Sequence, residues 1–219
     1  MKGLGLHSSF GIDHALKASR RGPVIQLDLL KSSHQSLLLQ WLSSELLVSV
    51  WFAPPCGTAS RAREIPMSPS EHGPPPLRTS DSPDGVSSLS AKELERVQKA
   101  NCLYSFTTMC CLHLSQLSKP WVVENPSRSL YWETSFWQEC HEVCQPDYFQ
   151  FHACMHGGRR RKATTLACFQ HPAMFSLAVS CDNQHEHEPW GVVTHGERQL
   201  HFATADEATY PVLLCQRAA

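Results

Sequence analysis

Leu47-Val-Ser-Val-Trp-Phe-Ala-Pro-Pro-Cys56-Gly-Thr-Ala-Ser60 sets the terms on which the rest of the chain is read. Leu47 to Ala53 has the length and the β-branched and aromatic content of a buried strand. Pro54 and Pro55 cannot donate to a ladder and stop it, so Cys56 is delivered on a stiff, exposed turn. The same design recurs at Trp121-Val-Val-Glu124-Asn-Pro126, an apolar run ending in an acid and a proline turn. Upstream, Phe10-Gly-Ile-Asp13 and Val24-Ile-Gln-Leu-Asp28 are shorter apolar runs that also end in acids. Between them and the first strand, Leu37, Leu38, Trp41 and Leu42 space a helix over Ser33 to Glu45. Ser90-Ala-Lys-Glu93 is a capping box, and the helix it opens runs to about Leu117.

Strands alternating with helices predict an α/β protein with a doubly wound, mostly parallel sheet. Such sheets bind ligands at the carboxyl ends of their strands. Asp13, Asp28, Cys56 and Glu124 all fall at or just past those ends. This core is expected over residues 1–132, interrupted at 65–89 by a Pro-, Ser- and Gly-rich stretch read as a long mobile loop. Residues 133–219 form an irregular C-terminal part. There Tyr148 to Cys154 and Thr164 to Phe169 are strands of a hairpin around Gly157-Gly-Arg-Arg-Arg-Lys162, and 133–147 lacks clear periodicity. Ala208 to Ala219 reads as a closing helix.

Composition narrows the function. With 219 residues, 42% hydrophobic, the chain is long enough to bury a core. Nineteen Lys and Arg against twenty Asp and Glu exclude a strongly basic nucleic-acid coat, so any such contact needs a local patch. No apolar run approaches the roughly 18 residues of a membrane span, and no membrane partner is expected. Met1 is followed by no sustained apolar segment, so the chain is expected to be intracellular, nuclear or cytoplasmic, and not secreted. Its ten cysteines are then reduced thiols available as core residues, metal ligands or a nucleophile.

Cys56 on its turn, with Arg61 and Arg63 nearby to supply positive charge, suits a nucleophile; the plainer reading is a structural cysteine. Arg159, Arg160, Arg161 and Lys162 form a basic turn suited to phosphate or base contact, or simply a solvated loop. Cys181-Asp-Asn-Gln-His185-Glu-His187, with Cys168 or Cys154 as a fourth ligand, has the composition of a zinc site. Reduced cysteines and surface histidines explain the same residues without a metal.

Taken together, Pro54-Pro-Cys56-Gly-Thr-Ala-Ser-Arg-Ala-Arg-Glu64, Glu124-Asn-Pro-Ser-Arg-Ser-Leu-Tyr-Trp132 and Gly158-Arg-Arg-Arg-Lys-Ala-Thr164 resemble strings of the cytosine-C5 DNA methyltransferase family. The likeness is to its divergent phage and mobile-element members. The resemblance implies an S-adenosylmethionine-dependent, Rossmann-like fold. It assigns Cys56 to attack on C6 of a flipped or single-stranded cytosine in DNA, and Glu124 to N3. It also gives Arg161 to the base, and Arg159, Arg160, Lys162, Arg61 and Arg63 to nucleic acid. Asp13 would hold the cofactor ribose and Asp28 the adenine amine, with Pro54 beside the cofactor. The family's first strand and Gly-rich cofactor loop have no counterpart before Asp13, and residues 1–9 read as the tail of the helix that follows that loop. The alternative expectation is therefore a catalytically inactive, truncated mobile-element remnant that at most binds nucleic acid or zinc.

Overall fold

A computed structural model describes residues 9–15, 23–64, 75–195, 199–207 and 209–218. The expected N-terminal helix tail lies outside them, as does the first half of the 65–89 stretch. The chain is a mixed α/β protein with open sheets. Strands β1 (Gly11–Asp13) and β2 (Val24–Gln26) pair in parallel and lead into helix α1 (Ser32–Leu42). Strand β3 (Val50–Phe52) then pairs in parallel with β4 (Trp121–Pro126), the two separated in sequence by the 26-residue helix α2 (Ala91–Gln116). Helix α3 (Ser135–Cys144) leads to β5 (Asp147–His152) and β6 (Ala163–Phe169). β6 lies antiparallel between β4 and β5, giving the order β3-β4-β6-β5. The predicted parallel pairing thus holds for the earlier strands, and an antiparallel hairpin extends the sheet. The sheet thus draws strands from both sides of residue 132, since β5 and β6 join β3 and β4. A second hairpin, β7 (Val192–His195) with β8 (Gln199–Phe202), stands apart and is followed by α4 (Ala203–Asp206) and α5 (Val212–Ala218).

β4 is buried on both faces, as the unbroken apolar run Trp-Val-Val requires. Trp121 and Val123 point into a core shared with Leu38 and Leu42 of α1, Tyr104, Cys111 and Leu114 of α2, and Trp137 and Cys140 of α3. Val122 points the other way, onto Leu166 and Cys168 of β6, Phe151 of β5, and Met174, Leu177 and Leu214 beyond the sheet. The capping box forms as predicted. Glu93 Oε2 accepts from the Ser90 amide at 3.0 Å, and Ser90 Oγ accepts from the Glu93 amide at 3.4 Å. Helix α3 was not legible as a helix. Its ends are made by a Thr134 side-chain cap and by Gln145 in the left-handed region, without a glycine stop.

The described part of the 65–89 stretch, 75–89, packs against the rest of the chain through Leu77 and Arg78. Leu77 and Arg78 are each 1% exposed. Arg78 donates to Thr58 Oγ1 at 3.1 Å, the Pro83 carbonyl at 2.8 Å and Asn101 Oδ1 at 2.8 Å, and its guanidinium lies 5.1 Å from the Tyr104 ring centroid. Five donors on a planar fork let one side chain satisfy three oxygens spread across the width of the guanidinium, a span that the point-like ammonium of lysine does not cover. No described helix is long and apolar enough to cross a membrane.

Arg78→Ala leaves those buried oxygens unsatisfied and is expected to cost on the order of 3 kcal/mol of unfolding free energy, with Arg78→Lys recovering little. Denaturant titration and limited proteolysis at 75–89 check this. A variant as stable and as protease-resistant as the wild type would mean that Arg78 does not pin the loop.

Candidate functional site

Cys56 opens a short 3-10 turn, Cys56–Thr58, directly after β3. The carbonyls that precede it have no partner within their own strand. Asn125, fully buried at the end of β4, donates from Nδ2 to the Pro54 carbonyl at 3.0 Å. Tyr104 of α2 donates its hydroxyl to the Pro55 carbonyl at 2.6 Å. After the turn, the Ala59 carbonyl accepts from the Leu130 amide at 2.9 Å, and Ser129 Oγ lies 3.5 Å from it. The Pro-Pro-Cys and Glu-Asn-Pro strings are thus one hydrogen-bonded unit at the carboxyl ends of two adjacent parallel strands.

Glu124, beside Asn125, is 7% exposed. Its Oε2 accepts from the Tyr210 hydroxyl at 2.7 Å, while Oε1 has no hydrogen-bond donor among the described residues and lies 4.0 Å from Lys162 Nζ. Burial pushes the Glu124 carboxyl up, against Lys162 and the Tyr210 hydrogen bond. The half-buried Cys56 thiol is also pushed up by burial; the Lys162 charge pulls it down and the Glu124 charge raises it. Thiol, carboxyl and ammonium therefore share one electrostatic environment. Tyr210 completes it: Trp51 of β3 donates from Nε1 to the phenol oxygen at 3.1 Å, and the rings meet edge-on with centroids 5.9 Å apart. With Tyr210 there, the cavity beside Glu124, lined also by Lys162, Thr164 and Glu207, has only about 10 Å³, room for about one water. A larger, open groove of about 600 Å³ lies elsewhere, between α1 and α2, and includes none of these residues.

The other predicted residues have diverse settings. Asp13 ends β1, accepts from the Ala15 amide at 3.1 Å and pairs with His14 at 2.9 Å. Asp28, two residues past β2, accepts from the Leu30 amide at 3.1 Å and faces Lys31 at 3.9 Å. Arg61 is held by Glu133 at 2.8 Å and Glu64 at 3.0 Å, and Arg63 by the Gly57 and Pro75 carbonyls. Arg63 thereby braces the Cys56 turn, while Arg61 ties the following turn to Ser80 and Glu133. The basic turn divides likewise. The Arg160 side chain is 3% exposed and paired with Glu188 at 2.9 Å and Glu207 at 3.2 Å, so it faces inward and not toward a surface polyanion. Arg161 donates to Asn183 Oδ1 at 3.0 Å, and the residue beside Glu124 is Lys162. Arg159 and Arg161 are both exposed, and Arg159 faces Glu188 at 3.5 Å. Gly158 is required here, because a Cβ would lie 2.8 Å from the Ala153 carbonyl oxygen.

Cys154, Cys181, His185 and His187 bring their ligand atoms within 4.8 Å of one another, a group able to hold a metal ion. Cys168 is not among them. It is buried in β6 among the apolar residues behind the sheet, where burial pushes its thiol up to about 12. Spacing alone had left Cys168 and Cys154 as alternatives; the inward-facing side of β6 excludes the first.

A carboxyl whose folded pKa lies above its unfolded value favours the fold while protonated. That contribution is complete below the ordinary value of 4.5 and is lost as pH rises through the raised value. Glu124→Gln keeps an acceptor for Tyr210 and cannot ionise, so its Tm relative to wild type is expected to climb between acid and neutral pH. A difference that stays constant across that range would contradict a buried, titrating Glu124. No protein-family model, curated protein or solved structure matches the chain.

Proposed function

We propose that this chain is a cytosine-C5 methyltransferase-like protein in which Cys56 and Glu124 form the reactive pair. The observation that carries the reading is the union of the two strings through Asn125 and Pro54, which puts a thiol and a buried carboxyl at neighbouring strand ends. Cytosine is unreactive at C5 until its aromaticity is broken. A thiolate that adds at C6, with a proton held at N3, does so; the electron pair released onto C5 makes that carbon a nucleophile. Loss of the C5 proton and expulsion of the thiolate then restore the ring. A carboxyl raised by burial takes up a proton more readily than an exposed one and can share it with N3. Glu124 Oε1, with no donor among the described residues, is an acceptor suited to an incoming base N–H. Lys162 supplies positive charge that pulls the Cys56 thiol down, against the larger upward push of burial.

The strand order agrees with a doubly wound ancestry. A strand set between β1 and β3 would give β2-β1-x-β3-β4, the 3-2-1-4-5 arrangement of the Rossmann type, with β6 and β5 added at its far edge. S-adenosylmethionine would supply the methyl group. Asp13 and Asp28, at the carboxyl ends of adjacent parallel strands, have the chemistry to accept from a ribose diol and an adenine amine. They provide no cradle for the methionine end.

A specific observation favours a second reading, a protein that does not turn over. The Tyr210 phenol donates to Glu124 as a base N–H would, and it fills the space between the carboxyl and Trp51. A pyrimidine can enter only if Tyr210 withdraws. The test is transfer of a labelled methyl group from S-adenosylmethionine to cytosine in single-stranded and flipped-base DNA. Transfer is expected, abolished in Cys56→Ser, slowed roughly 10²-fold in Glu124→Gln, and faster in Tyr210→Ala. If the folded wild type and Tyr210→Ala both fail to transfer, the second reading stands.

A further inference from the structure

Separate from the Cys56–Glu124 site, four potential ligands converge from two segments. Cys154 lies in the short turn Ala153–His156 that follows β5, and the other three come from the loop Cys181 to His187. We propose that Cys154, Cys181, His185 and His187 form a closed, four-ligand structural zinc site that fastens this loop to the basic turn.

The distances fit. With Zn–S near 2.3 Å and Zn–N near 2.0 Å, a tetrahedron sets sulfur and nitrogen about 3.5 Å apart. Cys181 Sγ lies 3.4 Å from His187 Nε2 and 3.8 Å from His185 Nε2. The surroundings also have the form of a support for ligands. His185 turns its other ring nitrogen, Nδ1, to Asp182 Oδ1 at 3.3 Å, the carboxylate–histidine arrangement that sets which nitrogen faces a metal. The Asn183 amide, in a residue with φ of 58°, points at Cys181 Sγ at 3.4 Å, a hydrogen bond that stabilises a thiolate. The Cys181 amide itself donates to His152 Nδ1 at 2.8 Å, tying the loop to the end of β5. Two cysteines and two histidines leave no open position, so the site is structural and not catalytic. On binding, each thiol gives up its proton, and two thiolates with two neutral imidazoles balance the ion's double charge.

What the metal fastens follows from the residue after His187. Glu188 donates its amide to the Arg159 carbonyl at 3.0 Å and pairs with buried Arg160 at 2.9 Å. Arg160 in turn pairs with Glu207, whose carbonyl accepts from Lys162 Nζ at 3.2 Å. Zinc thereby holds the 157–162 turn through a short chain of polar contacts that runs from Glu188 to buried Arg160.

The test uses the full chain grown with zinc and purified without chelator, and it does not depend on methyl transfer. About one zinc per chain is expected, retained in Cys168→Ala and lost in Cys181→Ser and His187→Ala. Cobalt added to the metal-stripped wild type should give the strong visible bands of a tetrahedral ion, with thiolate-to-metal charge transfer. That spectrum decides the matter should Cys181→Ser fail to fold. Amide exchange at 157–162 should slow when zinc is bound. Less than about half a zinc per chain, an octahedral cobalt spectrum, or zinc retained in Cys181→Ser would overturn the site. Exchange at 157–162 that ignores the metal would overturn the staple.

Discussion

Asn125 carries the arrangement on which the candidate site depends. Its amide group is completely buried, and it donates to a proline carbonyl that ends the neighbouring strand. Two prolines after β3 remove two backbone donors and leave carbonyls that the sheet cannot use. Satisfying them with Asn125 from β4 and Tyr104 from α2 fixes the turn that presents Cys56 at the strand end next to the one that carries Glu124. Removing either donor leaves a buried acceptor unpaired, a loss of about 1–3 kcal/mol, so the turn geometry and the stability of this end of the sheet are the same quantity.

The cost of that arrangement falls on Glu124, a carboxyl drawn out of water with one oxygen unmatched by any described donor. Lys162 and Tyr210 offset it from opposite sides. Lys162 reaches it because the basic turn is held by Arg160 between two glutamates, and Tyr210 because α5 packs over the face of the sheet behind β4. A residue that enables the site by neutralising it also closes it. The same phenol that satisfies Glu124 leaves a cavity of about one water's size.

The strand ends were legible because strands announce themselves locally: an apolar run, an acid or cysteine, a proline. The capping box at Ser90 was legible for the same reason, since its partners are three residues apart. What was not legible acts at long range. Tyr210 meets Glu124 across 86 positions, and only the Tyr-Pro pair before the last helix marks it. Nothing local marks Arg78 within the Pro-, Ser- and Gly-rich stretch, because a buried arginine differs from a solvated one only through its partners. The basic run suggests a shared nucleic-acid role with Arg161 at the base, whereas the turn sends Arg160 inward, Arg161 to Asn183 and Lys162 to the carboxyl. Cys168 fits ligand spacing as well as Cys154 does; strand register separates them.

The central claim is that Cys56, Glu124 and Lys162 form one coupled site, and the Cys56 thiol reports it directly. Its apparent pKa can be followed by the pH dependence of alkylation at the Cys56 peptide, read by mass spectrometry in the wild type and in single variants. The account predicts that Glu124→Gln lowers that pKa, because a nearby negative charge is removed, and that Lys162→Met raises it. A Cys56 titration identical in all three folded proteins would contradict the claim, and with it the reading of the two strings as one site.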